Sequence, residues 1–438
     1  MITLNKKYDV IVVGAGVAGL MCAMHVPADK SVLIVCKGKP SESDSYLAQG
    51  GICVMRGQSD FDGYFEDTMK AGHYENNPEA VRCMIENSQQ LIAELEQCGV
   101  EFAKDKEGNF LYTREGGHRR PRILFHEDST GLEITSRLYE RVSGLKNVRL
   151  QPYITVLDIL EENGEAAGVV AKDNVTGELY VLYSDYVVFA TGGVGGLFKN
   201  STNFRALTGD ALAICMEHGV ECEHLDYVQI HPTTLYSKKR GRRFLISESV
   251  RGEGAVLLNA KGERFTDELQ PRDVVTAAIF KQMKEDGTEH VWLDLRPIGD
   301  RERIVSHFPT IVRRCQEEGY DVFCEPIPVV PSQHYFMGGI KSDLKGRTTM
   351  NRLYAVGETC CNGVHGKNRL ASNSLLESLI FAKRAGLDIS KNYRELPVQA
   401  SERAEKALDT GKYQDEKKLF REYKKKILKE MQKRREKV

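Results

Sequence analysis

The sequence predicts an α/β protein in which a Rossmann-like doubly wound domain is interrupted by an α+β capping domain and followed by a short C-terminal helical segment. Three observations predict it: a strand–glycine turn–helix–strand opening, two later apolar strands that each run into glycine, and a self-contained stretch between those two. Residues 8–13 (YDVIVV) form the continuous apolar run of a parallel strand buried on both faces. Residues 17–26 (VAGLMCAMHV) suit the following helix, and 31–35 (SVLIV) a second strand. Residues 154–160 and 166–171 read as strands of a meander. Val187-Val188-Phe189 runs into Ala190-Thr191-Gly192-Gly193, and Leu353-Tyr354-Ala355-Val356 runs into Gly357-Glu358. The boundaries expected are 1–224 and 336–395 for the two parts of the nucleotide domain, 225–335 for the capping domain, and 396–438 for the helical region. In the last, Phe420, Tyr423, Ile427 and Met431 fall at helical spacing, which predicts an apolar stripe packed on the body with a solvated basic face opposite. No internal repeat is evident.

The chain's 438 residues exceed one compact core and suggest two or three units. A formal net charge of -1 gives no chain-wide field toward nucleic acid or an acidic membrane, so neither is expected as a partner. No apolar run approaches the ~18 residues of a membrane span, and the start runs almost at once into a strand, without a signal or transit pattern. The 11 cysteines include no CxxC pair, and Cys360 and Cys361 are adjacent. That usage fits a reduced, cytoplasmic setting and no metal site.

Gly14-Ala15-Gly16-Val17-Ala18-Gly19 follows a strand and opens a helix. In that context the glycines permit a tight turn and close approach of backbone N–H groups to a pyrophosphate. The acid that usually holds the ribose about 20 residues further on is missing, because the second strand ends in Cys36-Lys37. Ribose contacts are therefore expected from elsewhere. These glycines alone do not choose between NAD and FAD. The strand ends at Thr191-Gly192 and Gly357-Glu358, with the loop Ser45-Tyr46-Leu47-Ala48-Gln49-Gly50-Gly51, suggest a larger cofactor touched from several sides, which favours a flavin.

Two histidines, His231 in QIHPTT and His334 in PSQHYFMGG, sit in short polar islands between apolar residues. Arg272 in QPRDVV and Arg369 in HGKNRLASNSLLES follow the same logic. A lone histidine or arginine is usually structural. Together, two guanidinium forks and two imidazoles suit a dicarboxylate held at both ends.

These segments carry a resemblance. The opening glycines, AQGG at 48–51, HPT at 231–233, RGEG at 251–254, PRD at 271–273 and HGKNRLASNSLLES at 365–378 resemble, in order, the succinate dehydrogenase and fumarate reductase flavoprotein family. The likeness covers about residues 5–390 and is greatest to the branch that oxidises L-aspartate. It implies hydride transfer from the substrate carbon to FAD, giving iminoaspartate, with oxygen (yielding hydrogen peroxide) or fumarate as acceptor. The product would pass to quinolinate synthase for NAD biosynthesis. Respiratory members carry a histidine, five residues before the Gln of AQGG, that bonds covalently to FAD; Asp44 stands there, implying a non-covalent flavin. In TREGGHRR (113–120) Glu115 would face the substrate amino group, where respiratory members have an uncharged residue. The resemblance further implies Arg272 as proton donor or acceptor, His231, His334 and Arg369 on the carboxylates, and Gln229, Ser247 and Glu248 completing the site. Lys37, Asp210, Glu358, Ser374 and Leu375 would line the flavin. Residues 396–438 are shorter than the family's usual helical domain. A soluble fumarate reductase or succinate dehydrogenase flavoprotein subunit is the alternative, and a redox-silent flavin module using its basic tail on RNA is a more remote one.

Overall fold

The computed structural model describes residues 4–435 apart from residue 240. β1 (Lys7–Val13) and β2 (Val32–Cys36) run parallel, from Val10↔Val32 to Val13↔Val35, and α1 (Val17–Met24) connects them. β3 (Val148–Pro152) lies parallel beside β2 as an edge strand. β4 (Ile154–Glu162), β5 (Glu165–Asp173) and β6 (Leu179–Phe189) form an antiparallel meander. β6 is long enough to serve twice: its first part pairs with β5, and its second part lies parallel to β1. The meander and the parallel strands are therefore one surface. A core containing Val10, Val12, Val32 and Ile34 covers one face, and a second containing Ile11, Val13, Leu33 and Val35 covers the other. Burial on both faces is why these strands read as unbroken apolar runs.

After α2 (Asp210–Glu217) the chain leaves this sheet. β7 (Val228–Leu235), α3 (Glu248–Gly252), β8 (Val256–Leu258), α4 (Arg272–Asp286), β9 (Val291–Asp294) and β10 (Ile327–Phe336) follow. Their strands make an antiparallel sheet in the order β7-β10-β9-β8, over a core of their own around Ile246, Leu257, Val275 and Ile311. The exit lies against the entrance: Gly339 pairs with Glu223, and Met337 N–H donates to Tyr227 O at 3.0 Å. β11 (Leu353–Ala355) then returns to the first sheet, parallel to β6. The α/β class with a doubly wound lobe and a helical end expected from the sequence is what the chain adopts.

α5 (Asn373–Asn392) packs on α1, and α6 (Val398–Lys406) packs on the meander. α7 (Glu416–Arg435) closes the described chain. Its buried stripe is Leu419, Tyr423, Ile427 and Met431, while Phe420 is only half-buried. The stripe begins one residue earlier than expected because a four-residue step aligns Leu419, not Phe420, with Tyr423. At about 1.5–3 kcal/mol for each fully buried apolar side chain, α7 is firmly part of the body. Among the described residues no helix is long and apolar enough to cross a membrane.

A polar staple fastens this end of the chain. Lys412 Nζ donates to Asp158 Oδ2 (2.6 Å) and Glu217 Oε2 (2.7 Å), and Tyr413 OH donates to Asp158 Oδ2 (2.8 Å). His218 presents Nε2 to Asp158 Oδ1 (2.8 Å) and Nδ1 to Glu161 Oε2 (2.5 Å). Two carboxylate partners require two ring protons. Burial works against the imidazolium, but the hydrogen bonds and charges of Asp158 and Glu161 outweigh it and raise the His218 pKa. A raised folded pKa stabilises below the unfolded value near 6.5, and the contribution disappears as pH climbs through the folded value. His218→Gln should therefore melt below wild type at pH 6, with the gap narrowing as pH rises, measured by thermal unfolding from pH 6 to 9.

Candidate functional site

One continuous cleft of ≈ 1920 Å³, open solvent at its mouth included, runs from the glycine turn between β1 and α1 to the face of the inserted sheet. At its centre Gly14 has φ +119°, and a Cβ there would lie 2.1 Å from Ala190 O. Only glycine lets the turn press against the end of β6. At Gly16 a Cβ would stand 3.0 Å from Ser45 Oγ, the atom that accepts from Val17 N–H at 3.1 Å. Ser45 thus holds the Val17 N–H, while Gly14, Ala15, Gly16 and Ala18 line the cleft at the start of α1, the setting in which a helix N-terminus receives a pyrophosphate. Ser43 Oγ, Asp44 Oδ2 and Gln49 Oε1 are buried without a partner, consistent with a polar ligand to satisfy them. These features fit a dinucleotide.

At one end of the cleft the wall is formed by the end of β2, by β4 and by α2. Lys37 Nζ pairs there with Asp210, and Glu42 stands beyond the strand end where a ribose-binding acid was missed in the sequence. Farther along the cleft Asp44 Oδ1 accepts from Phe204 N–H (2.9 Å), and Glu358 Oε1, near Arg369, accepts from Phe336 N–H (2.9 Å). Burial pushes Asp44 up to about 7 and Glu358, with Asp44's charge adding, up to about 8.

The other end collects basic groups from both parts of the fold. Arg272, first residue of α4, donates Nε to Glu248 Oε2 (2.5 Å) and Nη1 to Gln229 Oε1 (2.9 Å). Gln229 in turn donates Nε2 to Asn368 Oδ1 and Arg369 O, both at 2.8 Å. Arg369 Nη1 donates to Ser374 Oγ (3.0 Å), its guanidinium lies 4.6 Å over the Tyr335 ring, and its Nε has no partner. Burial and the Arg272 charge bring its pKa down to about 10.

His231 and His334 meet edge to face, ring centres 5.1 Å apart. His231 Nδ1 lies within hydrogen-bond reach of both Thr233 O (3.1 Å) and Thr233 N–H (3.2 Å), and its Nε2 is buried without a protein partner. Burial first, then the Arg272 charge, holds both rings neutral, with pKa values well below the ordinary range. A neutral imidazole that carries its proton on the nitrogen facing the cleft is a donor suited to a carboxylate.

Glu115 enters from the 113–120 loop. It is 3 % exposed, accepting from Ser249 Oγ (2.9 Å) and Ser372 Oγ (2.6 Å). Ser372 holds φ +61°, left-handed for a non-glycine, at the head of α5. Such strain is stored where the surroundings fix it. His118 donates Nε2–H to Ala371 O (3.0 Å), its Nδ1 accepting from Arg122, which is itself paired to Asp60 and Asp67. Burial, then the nearby Glu248 charge, raises the Glu115 pKa. In Glu248 the same burial is overcome by Arg272 and Arg251, and its pKa is lowered.

Of the residues singled out in the sequence, Gly14, Ala15, Gly16, Val17, Ala18, Lys37, Asp44, Ser45, Leu47, Ala48, Gln49, Gly50, Gly51, Thr191, Gly192, Asp210, Glu358, Ser374 and Leu375 line the cleft. So do Glu115, His231, Ser247, Glu248, Arg272, His334 and Arg369. Gly19, Tyr46 and Gln229 do not. A Cβ on Gly19 would lie 2.0 Å from Gly14 O, so it serves helix packing; Tyr46 lies toward Ser136 and Tyr139; Gln229 sits behind the arginines. Sequence reasoning missed Arg242, Ser372 and Ser249 in and around the site, and Arg251 behind Glu248 (3.6 Å). The RGEG and ASNS segments were the available signal for Arg251 and Ser372.

A dinucleotide cleft ending in a dicarboxylate clamp defines an FAD-dependent oxidoreductase, and the FAD binding domain family model matches residues 9–375. The chain is 46% identical over 407 residues to L-aspartate oxidase of Clostridium perfringens, covering 93% of this chain and 92% of that protein. It is 44% identical over 388 residues to L-aspartate oxidase of Clostridium acetobutylicum, covering 88% and 89%. Among solved structures, a point variant of the E. coli quinol fumarate reductase FrdA superposes with a TM-score of 0.85 at 29% identity, covering 93% of this chain and 74% of that one. The chain belongs to the FAD-binding flavoproteins of the succinate dehydrogenase and fumarate reductase type and, within them, to the L-aspartate oxidase family.

Gly14→Ala should purify with little flavin, since backbone overlap adds to about 1–3 kcal/mol of dihedral strain. Gly164→Ala, with φ +79° and nothing within 4 Å of the new Cβ, should keep its flavin. Flavin absorbance per protein compares the two.

Proposed function

We propose that this protein oxidises L-aspartate to iminoaspartate with FAD as electron acceptor. The reading rests on Glu115. A buried carboxylate beside an arginine and histidine clamp gives the ammonium of an amino dicarboxylate a partner that fumarate does not require. Bound FAD supplies the two-electron hydride acceptor and passes the electrons on, to oxygen with release of hydrogen peroxide or to fumarate with release of succinate.

In this reading Arg369, His231 and His334 hold the two carboxylates, and Arg272, fixed by Glu248 and Gln229, closes on the substrate from the inserted part, residues 225–335. Glu115, its pKa raised, takes a proton from the ammonium. The freed amine lone pair then helps expel hydride from the adjacent carbon, and no carbon base is needed. A guanidinium stays protonated at working pH, so Arg272 serves as proton donor in the fumarate direction, recharged through Glu248 and Arg251. Lys37, Glu42 and Asp210 would hold the adenosine side, and Asp44, which offers no nucleophile of the histidine kind, would leave the flavin non-covalent. Free cysteines throughout fit a cytoplasmic setting, and delivery of iminoaspartate to quinolinate synthase is the expected next step. A fumarate reductase lacking amino-acid oxidase activity is the second reading; Glu115 argues against it.

Glu115→Gln should lower kcat/KM for aspartate about 100-fold or more, the usual worth of a positioned acid–base group, and leave fumarate reduction by a reduced dye within a few-fold of wild type. Equal loss of both rates would remove the amine role. In wild type, aspartate oxidation should fall as pH drops through the raised Glu115 pKa, above the ordinary carboxylate range near 4.3. That acid limb should be absent from the residual activity of Glu115→Gln.

A further inference from the structure

The cleft has a direction. Its clamp end must hold the reacting ring of the flavin and the glycine turn its pyrophosphate, so the adenosine half extends toward Lys37. What stands behind Lys37 is the C-terminal helix. Lys37 Nζ reaches Ala206 O (3.1 Å), Thr208 Oγ1 (3.3 Å) and Asp210, and lies 5.4 Å over the centre of the Phe420 ring. Below it the stripe of α7 belongs to the same core as Ile154, Val156 and Ile214, which line that end of the cleft. Tyr423 OH donates to Leu157 O (2.8 Å), tying α7 to the strand that carries Ile154 and Val156. A Cβ on Gly209, the residue that caps α2 in front of Asp210, would stand 3.4 Å from Ile427 Cδ1.

We propose that α7 is part of the FAD site: Phe420 is a positioning residue that fixes the Lys37 ammonium, by cation–π contact, for the adenosine end of the cofactor. Ala206 O, Thr208 Oγ1 and Asp210 already hold the Lys37 ammonium, and an aromatic face within about 6 Å adds a further restraint on it. Phe420 supports this assignment by its exposure. It lies just outside the fully buried stripe, half-buried against the core and edge to face with Tyr423 (ring centres 6.0 Å apart), a placement that presents its ring to Lys37.

The inference rests on FAD being the cofactor, and the test separates the two. Full-length protein freed of flavin is titrated with FAD, ADP and FMN, following flavin fluorescence or heat. Phe420→Leu keeps an apolar side chain and removes the ring. It should weaken FAD and ADP about three- to fivefold, the worth of a cation–π contact, and leave FMN, which lacks adenosine, at its wild-type Kd. Phe420→Tyr should bind as wild type. Phe420→Leu added to Lys37→Met should cost nothing beyond Lys37→Met alone. FAD affinity unchanged in Phe420→Leu, or FAD and FMN weakened equally, would overturn the role of Phe420. Wild-type protein that takes up neither FAD nor FMN would overturn the flavin assignment with it.

Discussion

The substrate end of the molecule is governed by the cost of burying like charge. Arg251, Arg272 and Arg369 are each less than a tenth exposed, and Glu248 lies against two of them. Uncompensated buried charge is expensive, and the neighbourhood adjusts around it. Arg369 holds its proton less tightly, both histidines stay neutral, and Glu248 stays ionised. What is left is a surplus of positive charge, best relieved by a ligand bearing two carboxylates. Arg272 comes from the inserted part and Arg369 from the nucleotide lobe, and Gln229, bonded to Arg272, Asn368 Oδ1 and Arg369 O, links the two sides across that repulsion.

Two acids elsewhere in the cleft follow the opposite rule. Burial raises the pKa of Asp44 and of Glu358, and the Asp44 charge adds at Glu358, which also lies near Arg369. Arg242, from the inserted part, lies near enough to Asp44 to bear on its charge, and its own pKa is lowered by burial.

Legibility in the sequence tracked the range of the interaction responsible. The opening strand, glycine turn and helix were plain because the causes lie within a few residues: apolar continuity for β1 and the Gly14 contact for the turn. β3 escaped notice because an edge strand reading VRLQP has mixed polarity and ends in proline. The first part of β6 was hidden among tyrosines and a serine. Arg272, Arg369, His231 and His334 became readable as a set, since dicarboxylate chemistry calls for that combination. Ser372, Ser249 and Arg242 did not, because a serine or arginine acquires meaning only when folding brings it against Glu115 or Asp44. Phe420 and Leu419 differ by one helical position, and only the packed surface decides which is inside.

The inserted part begins and ends on neighbouring strands, Glu223 beside Gly339. Paired strands sit roughly 5 Å apart, so the nucleotide lobe is already closed at that point and does not rely on the insertion to bring its own halves together. The glycine cradle and half of the clamp therefore stand on different stretches of chain that meet only when folded, so a substitution in the inserted part can alter the grip on an acid without touching the turn at Gly14.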